Sequence, residues 1–423
     1  MLERCSKSVD DVRVVVTGLG VITSLGVNVD SFWDSLLKGR SGIKAIESFD
    51  TSPFTCRIGG EIVDFNPDEY LDHKDVKRND RFVHFAVAAA HRAMDDAKLS
   101  LGEDEKPRAG VMIGSGIGGM TTIEVQAGKF HQLGHNKVSP FMIPSLICNM
   151  ASGVVAIELG FMGPNLSVVT ACASGANSIG EAYNIMKLGK ADVMVAGGSE
   201  AALNALGFAG FCSMKAMSSG FNDNPTGASR PFDAKRDGFV MGEGAGMLVL
   251  ETLDHAKNRG AKIYCELAGY HCSSDAFHVT APHPAGAGLA ECLEVVMREA
   301  AVSKKDIDYI NAHGTSTKYN DKYETVALKS VFGDRANNIP ISSTKSMTGH
   351  LLGATGGVEA IVCVKAIQTG RIPPTINYEF PDPECDLNYV PNKALSKEIN
   401  VAISENSGFG GQNVALLFKK LSS

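Results

Sequence analysis

The sequence predicts an α/β protein in layers, built from two similarly constructed halves around a mainly parallel sheet. Three observations carry this. The chain has 423 residues, 44% of them hydrophobic, which is too much for one ordinary core. Short apolar strands alternate with helices, the pattern of stacked α/β layers. Glycine is abundant, at 45 residues, while charged residues make up only 21%. That combination suits close backbone packing and a sizeable subunit interface.

In chain order, a strand is expected over residues 13–17, ending at the turn Gly18-Leu19-Gly20. An amphipathic helix follows over 82–97, with buried strands at 109–113 and 191–196. A strand over 247–251 runs into a helix through Lys257. A second start comes near Lys262, where Ile263 to Gly269 repeats the strand and glycine turn. The C-terminal half adds a helix at 289–301, strands at 309–312 and 341–344, a helix after Gly353 and a last strand at 414–418. We divide the chain into a tail (1–12), an N-terminal half (13–258) and a C-terminal half (259–423).

The formal net charge is −7, which gives no support for a nucleic-acid face. The ten cysteines form no C-x-x-C pair, arguing against zinc or thioredoxin-like sites and for a reducing compartment. No apolar run is long enough for a membrane span, and no secretory signal core is present. The tail reads as disordered, or as the remnant of a trimmed organelle-targeting segment.

The most informative stretch is Val168 to Ala176, V-V-T-A-C-A-S-G-A. A β-branched run meets one cysteine and then small residues that open a helix over 173–188. A cysteine at a helix N-terminus faces oriented amides, which lower its pKa and favour the thiolate. A small buried packing cysteine is the bland alternative. Two further loops weigh against it. Asn311-Ala312-His313-Gly314-Thr315-Ser316-Thr317 and Ser343-Thr344-Lys345-Ser346-Met347-Thr348-Gly349-His350 each follow a short strand, at the sheet edge where α/β sites form. A thiol with two imidazoles points to covalent acyl chemistry, the imidazoles donating to a developing enolate. Lys345 would set local charge, with Glu359 as counter-ion.

Gly114-Ser115-Gly116-Ile117-Gly118-Gly119 matches a dinucleotide fingerprint but lies far from the start, with a loop-like stretch expected through His131 and His135. It reads as a glycine-lined turn against substrate or a partner subunit. Asn406 to Asn413, with three glycines around Phe409, reads as a flexible loop whose amide could face an oxyanion and whose ring could gate a pocket.

Taken in order, T-A-C-A-S-G, N-A-H-G-T-S-T, S-T-K-S-M-T-G-H-L-L-G-A and G-F-G-G-x-N resemble the β-ketoacyl-[acyl-carrier-protein] synthases. So do Arg230 to Gly246, Ser273 to His278 and Pro373 to Asn377; Phe239 to Gly244 resembles the type II elongating branch. The resemblance runs from about Val14 to Lys419. It implies a thiolase-like αβαβα five-layer fold of two halves and a homodimer. It implies a decarboxylative Claisen condensation in which Cys172 accepts the acyl chain and His313 and His350 assist loss of CO2 from malonyl-carrier protein. The N–H groups of Cys172 and Phe409 would form the oxyanion hole. Thr315 and Thr317 match pantetheine contacts, Ile117 the acyl-pocket wall, and Asp275 a loop that moves with the Gly408-Phe409 gate. Lys74, Lys77, Arg78, Lys137 and Lys215 match a basic patch for the acidic acyl carrier protein. No cofactor is required; some relatives hold a structural monovalent cation near the position of Glu359. No nucleic acid is expected as a partner.

Departures from the pattern are local. Asn406 and Ser407 stand where relatives carry serine and phenylalanine, which bears on gating and chain length. Lys318-Tyr319 stands where many relatives have Pro-Leu or Pro-Ala, so a less rigid loop after His313 is expected. Asn136 replaces a basic residue of the patch. The alternatives are a CoA-dependent thiolase, which lacks its second catalytic cysteine here, and a non-catalytic chain-length-factor-like partner, which would lack Cys172. The compartment is a bacterial cytoplasm or an organelle interior, not a secreted one.

Overall fold

The structure, a computed structural model, describes residues 12–421. The tail expected over 1–12 therefore lies, Val12 apart, outside the described residues. Ten strands form one sheet: β1 (Val14–Ile22), β2 (Ala109–Gly114), β3 (Asn165–Leu166), β4 (Val193–Glu200), β5 (Gly244–Thr252), β6 (Cys265–Ser274), β7 (Tyr309–Asn311), β8 (Ile341–Ser342), β9 (Val401–Gly408) and β10 (Gln412–Lys419). Their spatial order is β8-β7-β9-β10-β6-β1-β5-β4-β2-β3. Each half thus repeats one order, third-second-fourth-fifth-first, and the two meet where β1 and β6 pair over Val14–Val16 and Cys265–Leu267.

The sheet is mixed rather than mainly parallel. Four neighbouring pairs are parallel and five antiparallel. Periodicity cannot see this: a strand covered by helices on both faces is apolar throughout whichever way its neighbour runs.

The helices complete five layers. On one outer face lie α1 (Arg81–Ala97) and α3 (Met150–Leu159), after α2 (Met120–Leu133). Between the halves lie α4 (Ser174–Lys187) and α7 (Thr355–Thr369), and on the far face α5 (Ala287–Glu299) and α6 (Lys318–Phe332). Every residue of α7 from Thr355 to Ile367 is buried, as a helix enclosed by two sheet faces requires.

Two expected turns are something else. β1 runs straight through Gly18 and Gly20 to Ile22. Those glycines admit α1: a Cβ on Gly18 would lie 2.2 Å from the Ala93 carbonyl oxygen, and one on Gly20 1.9 Å from that of Ala89. Asn406 to Asn413 is no flexible loop. β9 and β10 form a tight hairpin, with Ser407 opposite Asn413 and Gly408 opposite Gln412. The stretch after the Gly114–Gly119 turn is helical as α2, not loop-like. No strand runs into Cys172; β3 ends at Leu166, and the chain reaches the cysteine turn without regular structure.

Candidate active site

Strand ends of both halves converge on one cavity of about 710 Å³, which Cys172, His313, His350 and Phe409 line together. Cys172 sits in a single tight turn, Ala171–Ala173, immediately before α4. Ala171 holds φ +51°, a left-handed conformation costly for a residue with a Cβ. The turn survives because its neighbours over-determine it. Ser174 Oγ donates to the Ala171 carbonyl and accepts the Thr170 N–H, and Asn177 Nδ2 donates to Thr170 Oγ1. The backbone amides of Cys172 and Phe409 lie beside Cys172 Sγ and favour its charged form. This approach needs Gly408, since a Cβ there would lie 2.5 Å from the Thr170 carbonyl oxygen.

The expected lowering of the Cys172 pKa is overturned. Burial pushes the thiol up to about 12; the Lys345 ammonium opposes this and the Glu200 carboxylate reinforces it. A helix terminus contributes only about half a charge, and here desolvation outweighs it. The resting group is a thiol.

The two histidines are nearly perpendicular, with ring centroids 5.3 Å apart. Burial, reinforced by the Lys345 ammonium, holds both pKa values well below the usual imidazole range, so both are neutral near pH 7. His350 has a defined tautomer. Its Nδ1 accepts the Leu352 N–H at 3.2 Å and faces Thr355 Oγ1 at 3.1 Å, which leaves the proton on Nε2. His313 is held differently. Its Nδ1 meets no protein partner, while its backbone is bound on both sides. Its N–H donates to Glu405 Oε1 at 2.9 Å and its carbonyl accepts from Lys345 Nζ at 2.5 Å.

Lys345 is almost wholly buried and also donates to Glu359 Oε1 at 2.6 Å. Burial lifts the Glu359 carboxyl to about 7 against the pull of Lys345. Its Oε2 accepts from Asn406 Nδ2 at 2.6 Å. Each oxygen of Glu359 thus accepts one donor and keeps a further acceptor site, so the side chains leave room for a monovalent cation there. Among the described residues no group of three or more His, Cys, Asp or Glu is arranged to hold a metal ion.

Of the remaining residues singled out, Ile117, Thr315, Thr317, Asp275 and Gly408 all line the cavity. Thr315 and Thr317 are joined through their hydroxyls at 2.8 Å. Asp275 ties two loops together: it accepts from Asn413 Nδ2 and the His283 N–H, and its own N–H donates to Gly411. Lys318 and Tyr319 line the cavity in the first turn of α6, so this pair is helical, while residues 314–317 before it are not. Lys74, Lys77 and Arg78 lie in and beside the short helix His73–Val76. Arg78 stacks on Phe141 at 4.6 Å, Lys137 is exposed in the turn after α2, and Lys215 stands at the mouth.

Sequence reasoning missed three buried carboxyls. Glu200 gathers Ser115 Oγ and the N–H groups of Gly116, Ile117 and Gly353, pinning the glycine turn beside Cys172. Glu405 and Glu324 lie behind His313. The available signal was an acidic residue inside an otherwise buried strand, at Glu200 and Glu405.

Comparison with known proteins identifies the family. The family profile "Beta-ketoacyl synthase, N-terminal domain" matches residues 11–256, and "Beta-ketoacyl synthase, C-terminal domain" matches residues 264–379. A "3-oxoacyl-[acyl-carrier-protein] synthase 2" of Synechocystis sp. is 52% identical over 96% of this chain and 98% of its own. One of Staphylococcus aureus is 48% identical over 97% and 99%. Among solved structures, a beta-ketoacyl synthase from Burkholderia phymatum superposes with TM-score 0.90 at 34% identity, covering 97% of this chain and 100% of its own. A type II PKS ketosynthase solved in complex with its acyl-carrier protein gives TM-score 0.89 at 35% identity, with the same coverage.

Proposed function

The chain belongs to the beta-ketoacyl synthase family, and on that footing we propose that it elongates fatty acyl chains by decarboxylative condensation, as a 3-oxoacyl-[acyl-carrier-protein] synthase. One observation carries the assignment of roles: a single cavity is lined by a buried thiol, the Phe409 turn and two neutral imidazoles.

Cys172 Sγ attacks the acyl thioester on the carrier protein. The oxyanion forms under the Cys172 and Phe409 amides, the carrier's thiol leaves with a proton, and the acyl chain stays on sulfur. Because the resting group is a thiol, its proton departs during attack, with a neutral imidazole as the acceptor at hand. Malonyl-carrier protein then binds. Its C–CO2 bond breaks, CO2 leaves, and the electron pair moves into an enolate. The Nε2–H of His350 and the ring of His313 stabilise that oxygen, neutral donors suiting a charge that develops only in the reaction. The enolate carbon attacks the acyl-cysteine carbonyl and expels the thiolate, giving 3-oxoacyl-carrier protein. No electron changes hands between substrate and enzyme, so this sequence calls on no redox group.

Ile117 forms the acyl-pocket wall, Thr315 and Thr317 hold the pantetheine arm, and Asp275 couples the Phe409 gate to its neighbouring loop. Lys74, Lys77, Arg78, Lys137 and Lys215 receive the acidic carrier protein. Residues 13–258 supply the nucleophile and 259–423 the histidines. The protein acts as a homodimer. In support, β3 is an exposed sheet edge beside exposed apolar side chains on α2 and α3, among them Phe130, Leu133 and Ile157. A reducing interior is proposed, bacterial cytoplasm or organelle, where Cys172 stays a thiol; among the described residues no helix is long and apolar enough to cross a membrane.

The test is incubation with acyl-carrier proteins of several lengths, mass spectrometry of the Cys172 peptide, then addition of malonyl-carrier protein. Acyl mass on Cys172 followed by 3-oxoacyl product is expected. Undiminished product from Cys172→Ala overturns the mechanism.

A further inference from the structure

We propose that Glu324 and Glu405 are a positioning pair: two carboxyls that share one proton, clamp the backbone on both sides of His313 and so aim its ring into the cavity. Both side chains are buried. Glu405, on β9, accepts the His313 N–H through Oε1 at 2.9 Å. Glu324, on α6, accepts the next amide, Gly314 N–H, through Oε2 at 2.9 Å. Lys345 Nζ holds the carbonyl between them. Three charged or ionisable groups from three elements thus grip two consecutive peptide units.

The carboxyls also face each other. Glu324 Oε1 and Glu405 Oε2 have no other partner, and the two groups stand in mutual hydrogen-bonding range. Two acceptors satisfy each other only through a proton. Burial and the neighbouring Glu405 charge hold the Glu324 carboxyl well above its usual range, and burial raises Glu405 too, so the pair retains a proton between its members. The remaining titratable groups against the pair are Lys345, Glu359, Asp321, His313, Cys292 and Tyr389. Positioning matters more here than at His350, whose ring is held through Nδ1; His313 has no such tether on its own Nδ1. Its backbone is what fixes it.

The inference rests on the condensing-enzyme reading, and the wild-type assay tests that reading separately. The variants are Glu405→Ala, Glu405→Gln, Glu324→Ala and Glu324→Gln, each checked for folding by thermal melt. Malonyl-carrier-protein decarboxylation and Cys172 acylation are measured side by side, in potassium and in N-methylglucamine buffers. The alanine variants should lose about 10- to 100-fold in kcat for decarboxylation, as a displaced catalytic group does. Their KM and acylation rates should stay near wild type. Glu324→Gln, which reproduces a protonated carboxyl, should restore decarboxylation. Equal losses in acylation and decarboxylation would overturn the proposal. So would failure of glutamine to rescue, or wild-type activity that vanishes without potassium, since a metal rather than a proton would then join the carboxyls. Should an alanine variant not fold, the glutamine rescue and the cation test on wild type still decide it.

Discussion

The two halves share a strand order but divide the chemistry. After β3 the chain makes a tight turn that opens with Ala171 at φ +51° and leads into α4; at the matching place after β8 the turn opens with Leu352 at φ +50° and leads into α7. The next residue is Cys172 in one half and Gly353 in the other. A Cβ on Gly353 would lie 2.2 Å from Gly116 N, so no nucleophile fits there. The loop after β2 is Ser115 to Ile117, shaping the pocket; the loop after β7 carries His313. One strained turn is thus used once to expose a thiol and once to bring the halves into backbone contact. The lesson is that repetition preserved the scaffold, while side chains at equivalent strand ends took different jobs.

Breaking the comparison at its centre gives the largest effect. Cys172→Ala should abolish 3-oxoacyl product while leaving malonyl decarboxylation measurable, because the histidines of the other half remain; product and CO2 release are assayed together. His313→Ala should do the reverse. Decarboxylation should fall by about 10²- to 10³-fold, the usual cost of one transition-state donor, with acylation of Cys172 little changed in stopped-time mass spectra.

One buried acid in each half is held in a contrasting way. Glu251, in the N-terminal half, is bound by Arg259, His255 and Thr17, which bring its carboxyl down to about 2 from 4.5 in spite of burial. A pKa depressed on folding stabilises the protein above the unfolded value by roughly 3 kcal/mol, a contribution lost as pH falls from 4.5 through 2. Glu359, lifted by burial to about 7, works in the opposite sense: its contribution is full below 4.5 and is lost as pH rises through 7. Urea melts across pH should therefore show Glu251→Gln flattening the acid limb and Glu359→Gln the neutral one. Gly353→Ala should lower stability by about 1–3 kcal/mol through overpacking against Gly116, read as a shift of the denaturation midpoint. The smallest effect is expected at the rim. Lys215→Glu should raise KM for carrier protein by a few-fold at unchanged kcat, an effect that fades with salt.

Much of the site was legible because its chemistry is written in local strings. T-A-C-A-S-G, the two histidine loops and G-F-G-G are contiguous, and each places its key residue beside small residues that backbone can approach. The elements of longest period were legible too: α1 lies over Arg81–Ala97 against an expected 82–97. What misled was glycine. In β1 it marks close packing of α1, not a turn, and between β9 and β10 it marks a tight hairpin, not a loose loop. Glu200 and Glu405 went unread because each acts on residues far away in sequence, and Glu324 because its carboxyl partner, Glu405, does.

By itself, then, the sequence determined the inventory: which thiol, which imidazoles, which lysine, and two halves of alternating strands and helices. Only the tertiary structure decided their state. Direction of pairing, the protonation of Cys172, the neutrality of both histidines and the proton between Glu324 and Glu405 all depend on burial and on partners that are distant in the chain. Local sequence specifies a group's kind; desolvation and neighbouring charge, which exist only after folding, specify its charge.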